Sequence, residues 1–391
     1  MSDAVSAPLP DASATASHVD VLGFTLGELT EWLGVHRHPR FRARQVTQWV
    51  YQSLVSTTAE MYTLPVALRE LLDETASLSG PEVRVEQMAS DGRTRKVLLQ
   101  LGDGKLIESV LMLYPATTES RARATVCVST QAGCAFGCTF CATGQMGFDR
   151  HLTSGEIVAQ VVHFARELKK NPWVAPDGSI IDHVTNLVFM GMGEPLHNYA
   201  STLKAVRILN MPEGMNIGAR HMTISTVGVV PGILKLASEP EQVNLAISLH
   251  APTNAMRLRT MPVTKKYPLE AVLDACRQYI DRTNRQVTFE YVLLAGENDQ
   301  ADHAHMLAEL LRPLHQLAHV NLIPVNVTAA GYRPPTSRAI RTFRDILAHG
   351  GVSNSVRAER GDDIAAACGQ LSTRAAHALR AASNGGPTPP Q

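Results

Sequence analysis

Three cysteines in one short stretch carry the clearest chemical signal in the sequence. Cys134, Cys138 and Cys141 follow the spacing CxxxCxxC, which places three thiols within eight residues. Three thiolates this close can bind one polynuclear iron–sulfur cluster, and a four-iron cube with three cysteine ligands keeps one iron open. The spacing therefore predicts a [4Fe–4S] cluster. A zinc site completed by Cys127 or His151 is the alternative, although structural zinc sites more often show paired CxxC motifs or histidine pairs.

The remaining cysteines and one carboxylate are ambiguous when taken alone. Cys276 lies in the helical pattern EAVLDACRQYI and is interpreted as a core residue. Cys368 follows three alanines, which is typical of a small buried residue. Glu108 lies in the alternating pattern KLIESV, where a solvent-facing carboxylate is the ordinary interpretation. Six cysteines in a chain of this size indicate metal binding or catalysis rather than a disulfide framework.

Polar residues and glycines also cluster where predicted strands end. In a parallel barrel the carboxyl ends of the strands carry the active site, so these residues are predicted to converge on one rim around a large ligand. Ordinary turn chemistry is the alternative, because Gly, Ser and Asn are common turn residues. Besides the cysteine loop, the strand-end residues are Gly193, Glu194, Ser225, Ser248, Leu249, His250 and Asn326.

Strand-like and helix-like segments alternate after Thr125. The strand-like segments are TVCVST, TNLVFM, MTIST, VNLAISL, VTFEYVLL and VNLIPV, and helical patterns begin near Ser154, Ala200, Pro231, Leu269 and Ala301. Apolar strands that alternate with helices predict a parallel sheet covered by helices, and about 250 residues suit a full or partial barrel. We therefore predict an α/β fold, a partial (β/α)6 barrel. A doubly wound open sheet is the alternative.

The region before the barrel divides into a helical part and a strand part. Residues 25–78 have helical spacing and begin with a possible capping box, Thr25 and Glu28. Residues 83–114 alternate with a period of two between turn signals, which predicts an antiparallel meander. We expect an accessory module at 21–118, a core with the Cys368 segment at 119–372, and disordered tails at 1–20 and 373–391.

Composition limits the partners. Lys plus Arg and Asp plus Glu each total 36, so a uniformly basic surface is absent and any RNA or DNA site must be a local patch. The stretch HRHPRFRAR at 36–44 is one candidate. No segment approaches the roughly 18 apolar residues of a membrane span, and the start lacks the features of a signal peptide. We expect a cytoplasmic protein with no membrane partner.

The cysteine motif, with Phe140 before its last cysteine, resembles the radical S-adenosylmethionine (SAM) superfamily, and GMGEP resembles its amine-binding glycine motif. Longer strings are similar to the RlmN family of adenine methyltransferases and its relative Cfr, from about Phe41 to Leu371. These strings are CVSTQAGCAFGCTFCATGQMGFDRHLTSGEI, MGMGEPLHN, ISTVGVVPGI, AISLHAP and RGDDIAAACGQL.

This resemblance implies a radical route. Adenine C2 is an electron-poor carbon with no lone pair to attack a methyl sulfonium, so direct transfer is unsuitable. The family pattern implies that a first SAM methylates Cys368, and that a deoxyadenosyl radical from a second SAM removes hydrogen from this methyl group. The carbon radical then adds to adenine, with Glu108 as the acid–base carboxylate. Cys127 is implied to resolve the covalent adduct by forming a disulfide with Cys368.

The resemblance also implies the cofactors, a [4Fe–4S] cluster and SAM. Gly193 and Glu194 are expected to meet the methionine amine of SAM, and Asn326 its adenine. The ribose and carboxylate region is expected to meet Ser225, Ser248, Leu249 and His250.

The implied substrates are an adenine at the peptidyl-transferase centre of 23S rRNA and the adenine 3′ of the anticodon in some tRNAs. The implied partners include a reducing electron donor of the flavodoxin type, and the protein is expected to be a monomer. Methylation at C8 of the same ribosomal adenine, as in Cfr, is the nearest alternative. A different radical enzyme and a non-catalytic zinc-bearing RNA-binding module are two further classes. Iron and sulfide content separates the zinc class from the others.

Overall fold

The computed structural model describes residues 18–118, 120–326, 331–357, 361–367 and 369–371, apart from the side chains of residues 315, 316 and 362. Residues 1–17 and 372–391, which contain nearly all of the two expected tails, lie outside these ranges. Among the helices in these ranges, none has both the length and the apolar character needed to cross a membrane.

Three short helices form the predicted helical part, namely Leu26–Val35 (α1), Phe41–Gln48 (α2) and Val66–Thr75 (α3). The predicted capping box is confirmed at the start of α1. The Thr25 hydroxyl accepts the Glu28 N–H, and the Glu28 carboxylate accepts the Thr25 N–H at 2.8 Å. The apolar faces of the three helices pack together through buried side chains that include Leu29, Leu33, Val46, Leu68 and Leu72.

Helix Ser154–Lys170 (α4) connects this helical part to the barrel. The Ser154 hydroxyl donates to the Gly23 carbonyl at 3.3 Å. The Arg166 guanidinium donates to the Val55 carbonyl. The helical part is therefore fixed against the first crossover helix of the barrel.

Ten strands form the main sheet, and their spatial order follows their order in the chain. The first four strands pair antiparallel, and the fourth to the tenth pair parallel. The predicted meander therefore extends the barrel sheet along one side instead of standing apart from it. The strands are Glu82–Met88 (β1), Thr94–Gln100 (β2), Leu106–Tyr114 (β3), Arg123–Cys127 (β4), Asn186–Phe189 (β5), Met222–Thr226 (β6), Asn244–Ser248 (β7), Val287–Leu293 (β8), Ala318–Pro324 (β9) and Ser353–Val356 (β10).

Helices connect the parallel strands, as expected of right-handed βα crossovers. Five of them are predicted by the sequence pattern, and the α/β partial barrel is confirmed. After α4 they are Tyr199–Asn210 (α5), Val230–Leu236 (α6), Asn254–Thr260 (α7), Leu269–Thr283 (α8), Ala301–Leu311 (α9) and Ser337–His349 (α10).

The six predicted βα units are followed by one further parallel strand. Strand β10 pairs parallel with β9 and makes a seventh parallel strand, and α10 precedes it. The sequence SNSV is short, polar and mostly exposed, as is typical of an edge strand, so it gives no apolar run to detect. The barrel is therefore one strand wider than predicted.

The pairing register determines which side chains of the meander face the barrel interior. Val110 on β3 lies opposite Cys127 on β4, and Met112 lies opposite Thr125. Met112 and Thr125 line a cleft inside the barrel together with residues of six other strands. Because side chains alternate between the two faces of a strand, Glu108 and Cys127 face the same interior.

Candidate active site

A cavity lies at the carboxyl ends of the parallel strands, where the sequence predicts a shared site. Its walls come from the cysteine loop and from the ends of β5, β6, β7 and β9. The side chain of Leu249 lies in the core and does not contribute. The predicted site residues that line the cavity are Cys134, Cys138, Cys141, Gly193, Glu194, Ser225, Ser248, His250 and Asn326.

The cysteine loop is folded by backbone contacts that require glycine. It is carried by a hairpin of Gln131–Gly133 and Phe148–His151. At Gly133 φ is +76°, and a Cβ there would lie 2.0 Å from the Gly147 carbonyl oxygen. The Cys134 N–H donates to the same oxygen at 2.7 Å. The loop therefore turns sharply at its first cysteine, and all three thiols reach one cavity.

The three thiols fit a polynuclear cluster. Burial raises the pKa of Cys134 to about 12 and raises the pKa of Cys138 further, and the charge of Cys141 adds to both shifts. Three thiolates at this place would repel one another, so they need a cation that compensates their charge. Among the described residues, no group of three His, Cys, Asp or Glu side chains is arranged to hold a single metal ion. A cluster needs only one thiolate per iron around a shared cavity.

Glu194 is a buried carboxylate held by backbone groups. Its oxygens accept the Leu196 N–H at 3.0 Å and the Val227 N–H at 2.8 Å. Its own N–H donates to the Gln131 side chain at 2.8 Å. Burial raises the pKa of Glu194 to about 7, while its hydrogen bonds act in the opposite direction. A cationic ligand in the cavity would favour the ionised form.

Asn326 presents a side-chain oxygen that is buried and has no hydrogen-bond partner among the described atoms. The residue itself is only 7% exposed and lines the cavity. A buried acceptor without a donor is costly, so a ligand N–H would stabilise this position. The amino group of adenine is such a donor, and the site therefore fits the nucleoside part of SAM.

His250 is held neutral inside the cavity wall. Its Nδ1 accepts the Val292 N–H at 3.0 Å, and its ring stands edge-on to Phe140. Burial lowers the pKa of His250 to about 3. The imidazole is therefore uncharged at neutral pH and leaves the cationic role in the cavity to the ligand.

Arg257 is a positioning residue that sequence reasoning missed. It is fully buried in α7, and its guanidinium donates to the carbonyl oxygens of Val227, Ser248 and Leu249. These carbonyls belong to two of the strand-end loops that line the cavity. The pattern NAMRLRT gives no sign that one of its two arginines is buried, because only the tertiary contacts distinguish Arg257 from Arg259.

The segment 361–371 bridges the cysteine loop and the meander. At one end, the Gly369 carbonyl accepts the Ala142 N–H at 2.7 Å, and Gly369 lines the cavity. At the other end, the Asp363 carboxylate accepts the Ser90 N–H at 2.7 Å. Cys368 itself lies outside the described residues.

Glu108 is buried, so the solvent-facing interpretation of its pattern is wrong. It is 1% exposed on β3, and the Lys96 ammonium on β2 lies 3.2 Å from its carboxylate. Cys127 is buried at the end of β4 on the same interior face. Neither residue is part of the cavity wall that the cluster cysteines form. The even-numbered residues of β3 face the barrel interior because the meander joins the barrel sheet. No local sequence pattern reveals this orientation.

The other two cysteine expectations have different outcomes. Cys276 is completely buried in α8, which confirms its interpretation as a core residue. No disulfide joins two cysteines of the described ranges, and the expected partner of Cys127 lies outside them.

The basic stretch at 36–44 forms the exposed turn between α1 and α2. The Phe41 side chain is exposed and lies under the Arg42 guanidinium, 4.7 Å from ring centroid to Cζ. Arg37 takes a left-handed conformation with φ of 61° and is exposed. Exposed cations beside an exposed aromatic ring suit contact with RNA phosphates and bases.

The parallel barrel and the three-cysteine loop define the class of the protein. Residues 128–308 match the family model described as the Radical SAM superfamily. A crystal structure of a radical SAM methyltransferase from Sphaerobacter thermophilus is 47% identical to the chain, with a TM-score of 0.83, over 90% of this chain and 99% of that chain. The protein is therefore a radical SAM enzyme.

Matches that cover most of the chain identify the family. Residues 19–78 match the model described as the ribosomal RNA large subunit methyltransferase N-terminal domain. The chain is 48% identical to "Probable dual-specificity RNA methyltransferase RlmN" of Roseiflexus castenholzii, over 88% of this chain and 92% of the relative. It is 45% identical to "Ribosomal RNA large subunit methyltransferase N" of Nitrosopumilus maritimus, over 86% of this chain and 93% of that relative. The chain belongs to the RlmN family of radical SAM RNA methyltransferases, whose cofactors are a [4Fe–4S] cluster and SAM.

Proposed function

We propose that this enzyme methylates C2 of one adenine at the peptidyl-transferase centre of 23S rRNA and of the adenine 3′ of the anticodon in some tRNAs. The observation that carries the proposal is the bridging segment 361–371. Its ends are bonded to the cysteine loop and to the meander that holds Glu108. The described residues on either side of position 368 reach the partner of Glu108 at Ala365 and the cofactor cavity at Gly369.

The cofactors supply what the protein side chains cannot. When bound, the cluster and SAM would provide a carbon radical that takes one hydrogen atom from a methyl group on Cys368, with the cluster giving one electron and recovering it later. The cavity residues would hold SAM for this purpose. Gly193 and Glu194 would meet its amine, and the unpartnered oxygen of Asn326 its adenine. Ribose and carboxylate contacts would come from Ser225, Ser248 and His250, since the Leu249 side chain lies in the core.

The protein side chains carry the covalent and proton-transfer steps. The Cys368 thiolate takes a methyl group from SAM and later carries this carbon to adenine C2. Glu108 takes the C2 proton while the electrons of the C–H bond stay in the ring. The Cys127 thiolate then attacks the Cys368 sulfur, the S–S bond forms as the S–C bond breaks, and a proton completes the new methyl group. The disulfide must be reduced before the next cycle.

The adenine must leave its base stack to meet these groups. The accessory module at 21–118 would hold the RNA, with the exposed cations around Phe41 contacting phosphates. These RNA substrates place the enzyme in the cytoplasm. A small reducing protein of the flavodoxin type would supply electrons to a monomeric enzyme.

Nucleoside mass spectrometry tests the proposal. The reconstituted protein is incubated without oxygen with SAM, a reductant and either a 23S rRNA fragment or unmodified tRNA. We expect C2-methyladenosine in both RNAs. C8-methyladenosine would contradict the regiochemistry and would indicate the Cfr reaction. An active cluster with no methylated adenine would contradict the proposed substrates.

A further inference from the structure

A buried lysine, Lys96, contacts both the carboxylate that acts on adenine and the segment that carries the methylated cysteine. We propose that Lys96 is a positioning residue that keeps Glu108 ionised and oriented toward the adduct held by Cys368. This inference rests on the proposed role of Glu108. The matches of the chain to its relatives assign no role to Lys96.

The first observation is a buried ion pair. The Lys96 ammonium lies 3.2 Å from the Glu108 carboxylate, and the two side chains are 7% and 1% exposed. The pairing register of β2 with β3 places Lys96 opposite Val110, so the Lys96 side chain lies on the same interior face as Glu108. Removing one member of a buried pair leaves an uncompensated charge, which the protein avoids by protonating the carboxyl group. Lys96 therefore favours the form of Glu108 that can accept a proton.

The second observation is a hydrogen bond to the bridging segment. The same ammonium donates to the Ala365 carbonyl at 3.2 Å. Ala365 has a φ of 50°, which is a strained conformation for alanine. An ammonium has three N–H donors, so one lysine can bond the carboxylate and this carbonyl together. Lys96 thus fixes the distance between Glu108 and the turn that leads to position 368.

Other contacts hold the bridging segment independently of Lys96. The Ser90 N–H donates to Asp363, and the Thr143 hydroxyl donates to the Leu371 carbonyl at 2.7 Å. Loss of Lys96 should therefore leave the segment in place while Glu108 loses its charge partner. The strand register places Lys96 on β2 and Cys127 on β4 on the same interior face as Glu108.

A double-mutant cycle tests this inference. The variants are Lys96→Met, Glu108→Gln, the double variant, and Lys96→Arg as the variant that keeps the positive charge. The measured quantities are the single-turnover rate of adenine methylation and the rate at which Cys368 gains its first methyl group. Arg312→Met is the control, because Arg312 forms an exposed pair with Glu309 at the end of α9, outside the accessory module.

We expect Lys96→Met and Glu108→Gln each to slow adenine methylation by about 10²-fold or more, as for loss of a proton-transfer group. The double variant should be no more than about threefold slower than Glu108→Gln alone, because both changes remove the same function. The first methylation of Cys368 should stay within about threefold of wild type in each variant, since Glu108 takes no part in it. Lys96→Arg should recover most of the rate, and Arg312→Met should match the wild type.

The pH–rate profile gives a readout that a purely structural role would not change. Without the neighbouring cation, Glu108 ionises at higher pH, so the acid limb of the Lys96→Met profile should move upward. If Lys96→Met does not fold, as judged by circular dichroism and cluster absorbance, Lys96→Gln takes its place in the cycle.

Two results would overturn the inference in distinguishable ways. Rate losses that multiply in the double variant, together with a slow first methylation, would mean that Lys96 only supports the fold, and the role of Glu108 would stand. A Glu108→Gln enzyme with wild-type turnover would reject the proposed role of Glu108 and the inference about Lys96 together.

Discussion

Two buried carboxylates in the barrel interior differ in what compensates their charge. Glu194, beside the cysteine loop, is held by backbone N–H groups, and no ion pair to it exists among the described side chains. Glu108, on the meander, is paired with the Lys96 ammonium. Glu194 can therefore pair with a cationic ligand such as the amine of SAM. Glu108 already has a cation beside it and suits proton transfer to a bound substrate.

The difference follows from the two kinds of backbone that carry these residues. Glu194 lies in a loop after β5, where one N–H group of its own loop and one of the loop after β6 point at its carboxylate. Glu108 lies within a paired strand, where the N–H groups of the ladder are used and only a side chain can supply the charge. In the proposed reaction, SAM binding thus belongs to the loops at the strand ends and proton transfer to the meander.

The largest expected effect comes from Cys368, the proposed carrier of the methyl group. Cys368→Ala should abolish adenine methylation, because no thiolate remains to carry the methyl group. The cluster absorbance should be unchanged, since Cys134, Cys138 and Cys141 are intact. Anaerobic turnover and visible spectroscopy on the same sample check both statements, and retained turnover would reject the methyl-cysteine intermediate.

Removal of Cys127 should stop the reaction later. Cys127→Ala should still load the methyl group on Cys368 but should remain attached to the RNA, because no second thiolate breaks the S–C bond. A denaturing gel should show a shifted protein–RNA band. Cys276→Ala is the control, since Cys276 is buried in α8 and should give no such band. Absence of the band in Cys127→Ala would count against its resolving role.

Glu194→Gln should weaken SAM binding without changing proton transfer. A charged hydrogen bond contributes about 1.5–3 kcal/mol, so the Kd for SAM should rise by about 10- to 100-fold. Since the pKa of Glu194 is raised to about 7, wild-type affinity should also fall as pH drops below 7. Calorimetric titration with SAM at pH 8 and pH 6 measures both effects. An unchanged Kd would assign the amine to another group.

A smaller effect is expected from His250, the neutral neighbour in the same cavity. Its pKa is lowered to about 3 in the folded protein, whereas the unfolded chain binds a proton below about 6.5. The folded state is therefore fully stable above pH 6.5 and loses stability as pH falls, by about 2 kcal/mol at pH 5. His250→Asn keeps an acceptor for Val292 and tolerates φ of 58°.

Urea unfolding of the wild type and His250→Asn at pH 7.5 and pH 5 measures this difference. We expect the stability of the variant to fall less between the two pH values than that of the wild type. Equal losses in the two proteins would mean that His250 titrates normally.

Much of the site is predictable from sequence because its residues lie in local patterns. The cysteine spacing, the Thr25 capping box and the polar residues at strand ends each depend on neighbours in the chain. The roles of Lys96, Glu108 and Arg257 depend instead on which face of an element turns inward. That face is set by the pairing of β3 with β4 and by the packing of α7, which join residues distant in sequence. The edge strand β10 is hidden for another reason, because a polar strand has no apolar signal.

The most direct test of the account is the methyl content of Cys368 in two matched variants, Glu108→Gln and Glu194→Gln. Each is reconstituted, incubated with SAM and reductant in the absence of RNA, and analysed by peptide mass spectrometry. The account predicts that Glu108→Gln gains the methyl group at the wild-type rate and that Glu194→Gln gains it slowly at limiting SAM. Equal loading of the two variants, or loss in Glu108→Gln alone, would contradict the division between SAM binding and proton transfer.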